Sequence, residues 1–246
     1  MTKKYKFLFI KCIIATFILS GCSSSNKHVS ENKDPFEKMN RNVFQFNKYV
    51  DQKIISPISK TYVKKVPAKI RSGVSNHLQW MDTPNTIINS ALQTDMENTI
   101  LASAKFLLNG LTLGFYDLDK GETVIKKRDF GSTLARLNVS EGPFLMVPFI
   151  GPKTTRDLTG TILDRQNIAN LSSNSINDLN LAEIPINMID NRSKLSKTID
   201  NIYLSTDPYI KVRTFYLQNR RNEIYSEKYI ENKNSNLDAE FEKLLD

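Results

Sequence analysis

The sequence predicts an all-α fold: a single domain of many short helices with irregular apolar loop segments between them. Three observations predict it. Apolar residues recur every three or four positions along most of the chain after residue 34, which is the helical period. Proline and glycine punctuate that period at short intervals, at Pro57, Pro67, Pro84 and Asn109-Gly110. Two segments without the period, Gly110 to Tyr116 and Gly142 to Pro152, are apolar and uncharged yet far short of the roughly 18 to 20 residues that span a bilayer. No internal repeat is present.

Residues 1–21 form a processing segment. Lys3, Lys4, Lys6 and Lys11 make a basic start, and Cys12 to Leu19 is an apolar stretch too short for a membrane span. It ends in Leu19-Ser20-Gly21-Cys22, the pattern of a bacterial lipobox, so cleavage is expected before Cys22, whose thiol then carries the lipid anchor. Cys12 leaves with the signal and no partner thiol remains. Several acyl chains on one residue, each buried CH₂ contributing ~0.8 kcal/mol, make such an anchor effectively permanent. Ser23 after the cysteine favours the outer membrane of a two-membrane bacterium. The formal charge of +8 falls to +4 once the four signal lysines are gone, which is modest for a nucleic-acid binder. The cluster Lys126 to Arg128 then reads as facing anionic head groups or water.

Residues 22–33 are rich in Ser, Asn and Lys and read as a flexible tether with a reach of about 20 Å. Asp34-Pro35-Phe36-Glu37 has the form of a helix start, with Asp34 as N-cap, Pro35 at N1 and Glu37 at N3. Phe36, Met39, Val43, Phe46, Val50 and Ile54 give that helix one apolar face, and Pro57 is expected to end it. Asn40, Arg41, Asn42, Gln45 and Asn47 fill the rest, a face that points to water or to a polar cavity or partner.

A short helix bearing Ile58, Tyr62 and Val66 stops at Pro67, and another carries Ile70, Val74, Leu78 and Met81, with Trp80 near its end. Pro84 is expected to open a further helix bearing Ile87, Ile88, Ala91 and Leu92. Asp95 caps the next, which carries Ile100, Leu101, Ala104, Leu107 and Leu108. Gly131 to Leu137 reads as a short helix and Asn138 to Pro143 as a turn. Pro143 and Pro148 then forbid both a regular helix and a central strand, so Pro143 to Ile150 is expected to be irregular. From that stretch alone, a buried loop is favoured over a lipid-facing one. Thr154 to Leu163 reads as helical with Asp157 and Asp164 exposed, residues 166–180 as the main loop, and the helical period returns around Pro185 with Ile189, Leu195, Ile199 and Ile202. Asp207-Pro208 repeats the opening device for a helix running to Glu223, and residues 229–246 form a polar C-terminal tail.

Chemistry-bearing constellations are scarce. His28 and His77 are the histidines, and Cys22 is the one cysteine after cleavage, so the sequence offers no zinc set and no triad unless His77 alone serves it. The Gly-x-Ser-x-Gly elbow and the phosphate-cradling Gly-Lys-Ser/Thr loop are both missing. The expectation is a protein that is not an enzyme, with no cofactor, no metal and no nucleic-acid partner.

Read together, Asp34 to Arg41, Phe44 to Asn47, Phe106 to Asn109, Phe130-Gly131-Ser132-Thr133-Leu134, Gly142-Pro143-Phe144, Val147 to Gly151, Arg156-Asp157 and Asp207 to Ile210 with Val212-Arg213 resemble the VacJ/MlaA lipoproteins, in order and behind a lipobox. The resemblance spans about residues 34–222 and sets the domain at 34–228. It implies a ring-like, membrane-embedded shell of helices within the inner leaflet of the outer membrane, around an amphipathic channel. It further implies that stray phospholipids of the outer leaflet pass through to a soluble periplasmic lipid carrier, which maintains lipid asymmetry, and that a trimeric porin is a partner. A hairpin gating the channel would correspond to Asn138, Val139, Ser140, Glu141, Gly142 and Pro143. Here Ala135, Asn138 and Ser140 stand where relatives often carry glycine, which stiffens the hinge. Channel-lining or membrane-contact residues would include Asn40, Phe46, Gly131, Ser132, Phe144 and Phe149. The alternative is a lipid-anchored structural scaffold that docks on porins without moving lipid. A lipid hydrolase, with His77 as its only candidate base, is a third reading.

Overall fold

The computed structural model describes residues 34–120, 124–171 and 174–225, with the backbone alone for 166–183. The signal segment, Cys22, the tether and the tail lie outside the described residues. The regular elements of the described chain are helices and one hairpin, joined by turns and irregular stretches, 111–120 and 124–129 among them: α1 Glu37–Val50, a π-helical turn Asp51–Ile55, α2 Ser56–Lys65, α3 Ala68–Leu92, α4 Met96–Gly110, α5 Phe130–Arg136, β1 Phe144–Val147, β2 Gly151–Thr154, α6 Thr155–Leu171, α7 Asn174–Lys194, α8 Ser196–Tyr203 and α9 over residues 208–225. No described helix is long and apolar enough to cross a membrane.

Helix starts follow the sequence where an aspartate precedes them. Asp95 accepts from the Asn98 N–H (3.1 Å), and Asp129 with Ser132 forms a capping box on α5. Asp207 accepts from the Ile210 N–H (3.1 Å) ahead of Pro208. At the first helix the regular turn begins at Glu37 rather than behind Asp34, and the Glu37 carboxylate is bonded by Arg41 at 2.8 Å.

Prolines are less decisive than expected. Pro57 does not end the first helix. The π-helical turn 51–55 widens the backbone just before it, so the ring is accommodated near the start of α2 and the chain stays helical to Lys65. Pro84 does not open a helix but lies inside α3; it gives no N–H to the carbonyl one turn back, and beside it the Thr83 hydroxyl bonds the Gln79 carbonyl (2.9 Å). Within the loop expected at 166–180, residues 166–171 are instead the end of α6 and 174–180 the start of α7. These helix ends carry Asn- and Ser-rich sequence whose intrinsic helix preference is weak.

The segment expected to be irregular holds a β-hairpin. β1 and β2 pair antiparallel with Phe144 opposite Thr154, Leu145 opposite Lys153, Met146 opposite Pro152 and Val147 opposite Gly151. Pro148 lies in the turn, and Pro152 is tolerated because each strand of a two-stranded sheet is an edge. The turn is tight: the Ile150 N–H bonds the Pro148 carbonyl at 2.8 Å around Phe149, whose φ is 62°.

Helix α1 holds this hairpin through two asparagines. The Asn40 amide donates to the Phe144 carbonyl (3.0 Å) and accepts from the Met146 N–H (2.8 Å). Two turns later Asn47 donates to the Val147 carbonyl (3.0 Å) and accepts from the Phe149 N–H (3.0 Å). The amide-rich face of the sequence is therefore spent partly on backbone. Beneath it lies a small apolar cluster of Phe44, Phe144, Met146 and Tyr209, with Phe44 and Phe144 meeting Tyr209 edge-on at 6.0 and 6.2 Å. The Arg41 guanidinium covers Tyr209 at 4.6 Å and grips Asp207 with both nitrogens, which joins α1 to α9.

Polarity is inverted elsewhere. Among the described residues nine apolar side chains are buried against twenty-three polar or charged ones, so hydrophobic packing is not what most of the interior consists of. On α3 the buried residues are Ser75, Leu78, Thr83, Asn85, Thr86, Asn89 and Ser90, while Ile70 and Leu92 are exposed. On α4 Asn98 and Asn109 are buried and Met96, Ile100, Leu107 and Leu108 exposed. On α1 Phe36, Met39, Phe46 and Tyr49 face outward.

Candidate functional site: a polar interior and its ionic cluster

The polar interior begins where α5 crosses α6. Gly131 and Gly160 let the two backbones touch: a Cβ on Gly160 would lie 2.7 Å from the Gly131 Cα, and one on Gly131 would lie 2.8 Å from an Asp157 oxygen. Against this crossing α3 lays its amides. Asn89 donates to Asp164 (2.9 Å) and accepts from the Thr133 hydroxyl (2.8 Å), and Gln93 donates to Ser132 and Thr133 at 3.0 and 2.9 Å. Asp164 also accepts from the Phe130 N–H (2.9 Å), yet burial keeps its carboxyl above the ordinary range. Both Asp157 and Asp164, expected on the exposed side of α6, are buried because this crossing places them inward.

Next to it sits an ionic cluster. Arg220 of α9 bonds Asp129 (2.6 Å), Asp157 (3.2 Å) and Glu223 (2.8 Å). Tyr216 donates to the other oxygen of Asp157 at 2.6 Å, and Arg156 approaches the same carboxylate at 3.4 Å. Burial works against both aspartates, but Arg220 together with their other cationic and hydrogen-bonding neighbours more than reverses it, and each is held below the usual carboxylate range. Burial, with Asp157 adding to it, pushes the Tyr216 hydroxyl well up.

Part of this cluster reaches water. Lys127, bonded to Asp82 at 2.6 Å, keeps 72% of its side chain accessible although protein surrounds it closely enough that burial opposes its charge; Asp82 offsets this and its pKa is raised. The Asp129 side chain is 37% accessible in the same enclosed setting. Lys153 of β2 belongs to the same field, influenced by Asp129, Arg220, Asp157 and Lys127, and burial lowers its pKa.

The segment expected to gate lies beside this cluster. Asn138 takes φ 61° at the end of α5, with its N–H on the Ala135 carbonyl and the Val139 N–H on the Leu134 carbonyl, both at 3.0 Å, so it fills the left-handed position of a Schellman cap. Gly142 has φ 68°, and a Cβ there would strike the Thr155 hydroxyl. The first N–H groups of α6, at Thr155 and Arg156, bond the Pro143 and Glu141 carbonyls at 3.1 and 3.2 Å, and Arg221 bonds the Glu141 carboxylate at 2.8 Å. Of the other expected residues, Gly131 and Ser132 lie in the polar crossing, Phe144 is the first residue of β1 with its ring in the apolar cluster, and Asn40 bonds the β1 backbone. Phe46 and Phe149 are exposed and meet edge-on at 5.3 Å. Beside that pair an open cleft of about 320 Å³ runs between the hairpin turn and α7–α8, with Asp51 and Arg192 paired at 2.9 Å in its wall.

His77 is used structurally: its Nδ1 meets the Leu113 carbonyl at 2.6 Å and its ring stacks on Phe115 at 4.6 Å, fixing the segment after α4 against Trp80. Lys153, Arg220 and Asp129 were not singled out by sequence reasoning as site residues, and Lys127 only as part of the cluster Lys126 to Arg128. The one signal available was Lys153, the first charge after the uncharged run ending at Pro152.

Residues 32–223 match the model of the MlaA lipoprotein family. An uncharacterized protein of Rickettsia conorii is 33% identical over 200 residues, 79% of each chain. The intermembrane phospholipid transport system lipoprotein MlaA of Haemophilus influenzae is 26% identical over 234 residues, 92% of this chain and 94% of its own, and that of Escherichia coli 29% identical over 212 residues, 83% and 84%. A solved structure described as the structural basis for maintenance of bacterial outer membrane lipid asymmetry superposes with a TM-score of 0.67 at 28% identity, covering 78% of this chain and 100% of that one.

Proposed function

Because the chain belongs to the MlaA lipoprotein family, we propose that it is an outer-membrane-associated lipoprotein of phospholipid transport, not an enzyme. In this reading it takes phospholipids that have strayed into the outer leaflet along an amphipathic path and passes them to a soluble periplasmic carrier. The observation that supports it is the inverted polarity: apolar faces on α1, α3 and α4 look outward, and a polar interior with wetted charges lies behind them. Outward apolar faces suit contact with acyl chains, and charged groups within a membrane-embedded protein belong to bundle interiors and water-filled cavities. Anchoring through Cys22, docking on a trimeric porin, and movement of residues 138–143 as a gate are parts of the same proposal. The gate would be a stiff one, since Glu141 and Pro143 are tied to the start of α6.

The test is a clean deletion in the native bacterium, with outer-leaflet phospholipid measured by surface-selective labelling. Deletion raises surface phospholipid and sensitivity to detergent, and the wild-type gene reverses both. Unchanged surface phospholipid refutes transport and leaves the scaffold reading, in which only recovery of the porin complex is affected.

A further inference from the structure

Residues 52–81 hold six basic side chains, Lys53, Lys60, Lys64, Lys65, Lys69 and Arg71, and no acidic one. The five lysines are exposed, and none of their side chains has an ionic or hydrogen-bond partner among the described residues. Arg71 is turned to the backbone and donates to the Val66 carbonyl (3.1 Å). The fold alone gives little reason for this charge. Lys64 and Lys65 suit the C-terminal end of α2, but Lys60 and Lys64 stand four apart on the same helix and repel each other. Lys69 lies in the first turn of α3, where the helix dipole opposes a cation and no acidic residue balances it.

Apolar side chains lie among these lysines instead of beneath them. Helix α2 buries Ser56 and Ser59 and turns out Ile58 and Val63, while exposed Ile54 precedes it and exposed Ile70 follows. A helix that hides its serines and shows isoleucine beside lysine has the pattern of a membrane interface. There the apolar side chains enter the acyl boundary, and ammonium groups on long stems stay at head-group level. The outward face of α4 has a different composition. Met96, Ile100, Leu107 and Leu108 are exposed on it, and the one basic residue of that helix, Lys105, is bonded to Asp119 at 3.1 Å. Unpaired positive charge among apolar side chains thus belongs to α2 and the start of α3, and not to α4.

We propose that the outward face of α2, with the first turn of α3, binds the anionic phospholipids of the surrounding leaflet, so that this corner of the protein selects its lipid neighbours by charge. The inference rests on the membrane association proposed above and not on transport. It concerns lipid outside the protein, and the acyl anchor and apolar faces would hold the molecule in neutral lipid equally well. Charge complementarity names the partner: five ammonium groups without counter-ions match a surface of anionic head groups, to which each basic side chain adds attraction. The isoleucines between them favour a bilayer over an acidic protein.

The experiment uses the full-length acylated protein in phosphatidylcholine bilayers that carry a trace of spin-labelled phosphatidylglycerol or spin-labelled phosphatidylcholine. Electron paramagnetic resonance measures the lipid immobilised at the protein surface. Wild type holds phosphatidylglycerol over phosphatidylcholine about fivefold, the scale of one lysine near an anionic surface, and salt at about 1 M removes the preference. Lys60→Gln, Lys64→Gln, Lys65→Gln and Lys69→Gln together bring the ratio to about one. The same four positions changed to Arg keep it, and neither variant melts below wild type. A preference unchanged in the glutamine variant, or unaffected by salt, overturns the proposal. So does loss of a co-purifying envelope protein from the glutamine variant with its lipid preference intact, which assigns the face to an acidic protein. Equal immobilisation of the two lipids by wild type overturns this inference and leaves membrane association standing, whereas no immobilised lipid at all removes the membrane reading itself.

Discussion

Asn40→Ala removes the amide that occupies the free side of β1. Asn40 is fully buried, at 0% exposure, so no water replaces it, and the Met146 N–H and the Phe144 carbonyl both lose their partner. A buried backbone group left unpaired costs about 1 to 3 kcal/mol. Two such groups place the loss at about 4 kcal/mol, the middle of that range doubled. For a chain of this size each kcal/mol lowers the melting temperature by roughly 2 to 4 °C, so the variant melts about 8 to 16 °C early. Asn47→Ala breaks two bonds of the same kind nearer the surface, at the Val147 carbonyl and the exposed Phe149 N–H. There water takes over and the cost is about 1 to 2 kcal/mol, or roughly 2 to 8 °C. Far-UV circular dichroism melts of wild type and both variants in one detergent make the comparison. Equal shifts for the two asparagines, or a smaller one for Asn40→Ala, would refute the claim that burial of the orphaned groups sets the cost.

Gly160→Ala forces a methyl group into the Gly131 backbone at the α5–α6 crossing; overpacking of this kind costs about 1 to 3 kcal/mol or more, whereas Gly160→Ala behaving like wild type in the same melt would show that the helices part freely. Acid sensitivity has a defined sign. Asp95, Asp129 and Asp157 are depressed in the folded state, against burial, by Arg128, Arg220 and their hydrogen bonds, so their stabilisation is present above the unfolded value near about 3.9 and is lost as pH falls through their folded values. Asp164 is raised by burial and acts oppositely, gaining as pH falls toward that same value. The expected melting profile is therefore a shallow rise toward about pH 4 and then a drop, and a flat or rising profile below about pH 4 contradicts the ionic cluster.

Capping chemistry was legible in the sequence because it is local. Asp95 and Asp207, expected as caps, each sit three residues before the N–H they accept, whereas Asp34 is not the N-cap of the first helix and the cap at Asp129 was not foreseen; Pro67 ends α2 as the spacing requires. What was not legible is what prolines and periodicity leave undetermined. Pro57 and Pro84 were absorbed, one by a π-helical turn and one inside a long helix, since neighbouring packing outweighs a lost hydrogen bond. The helical period of Ile100, Leu107 and Leu108 showed that these residues share a face, but not that the face would look outward with Asn98 and Asn109 behind it. Periodicity separates two faces and does not say which solvent each meets. The ionic cluster joins residues 91 positions apart, Asp129 and Arg220, a pairing that no local pattern encodes.

The spacing of Asn40 and Asn47 has one more consequence. Seven residues of helix rise about 10.5 Å, and three residues of strand advance about 10 Å, so α1 offers amide groups at nearly the repeat of an adjoining strand. The hairpin has thus gained, on one flank, a substitute third strand made of side chains. Naked sheet margins invite pairing with the next molecule. With Asn40 and Asn47 engaging four backbone groups along that flank, intermolecular ladder growth from β1 is opposed.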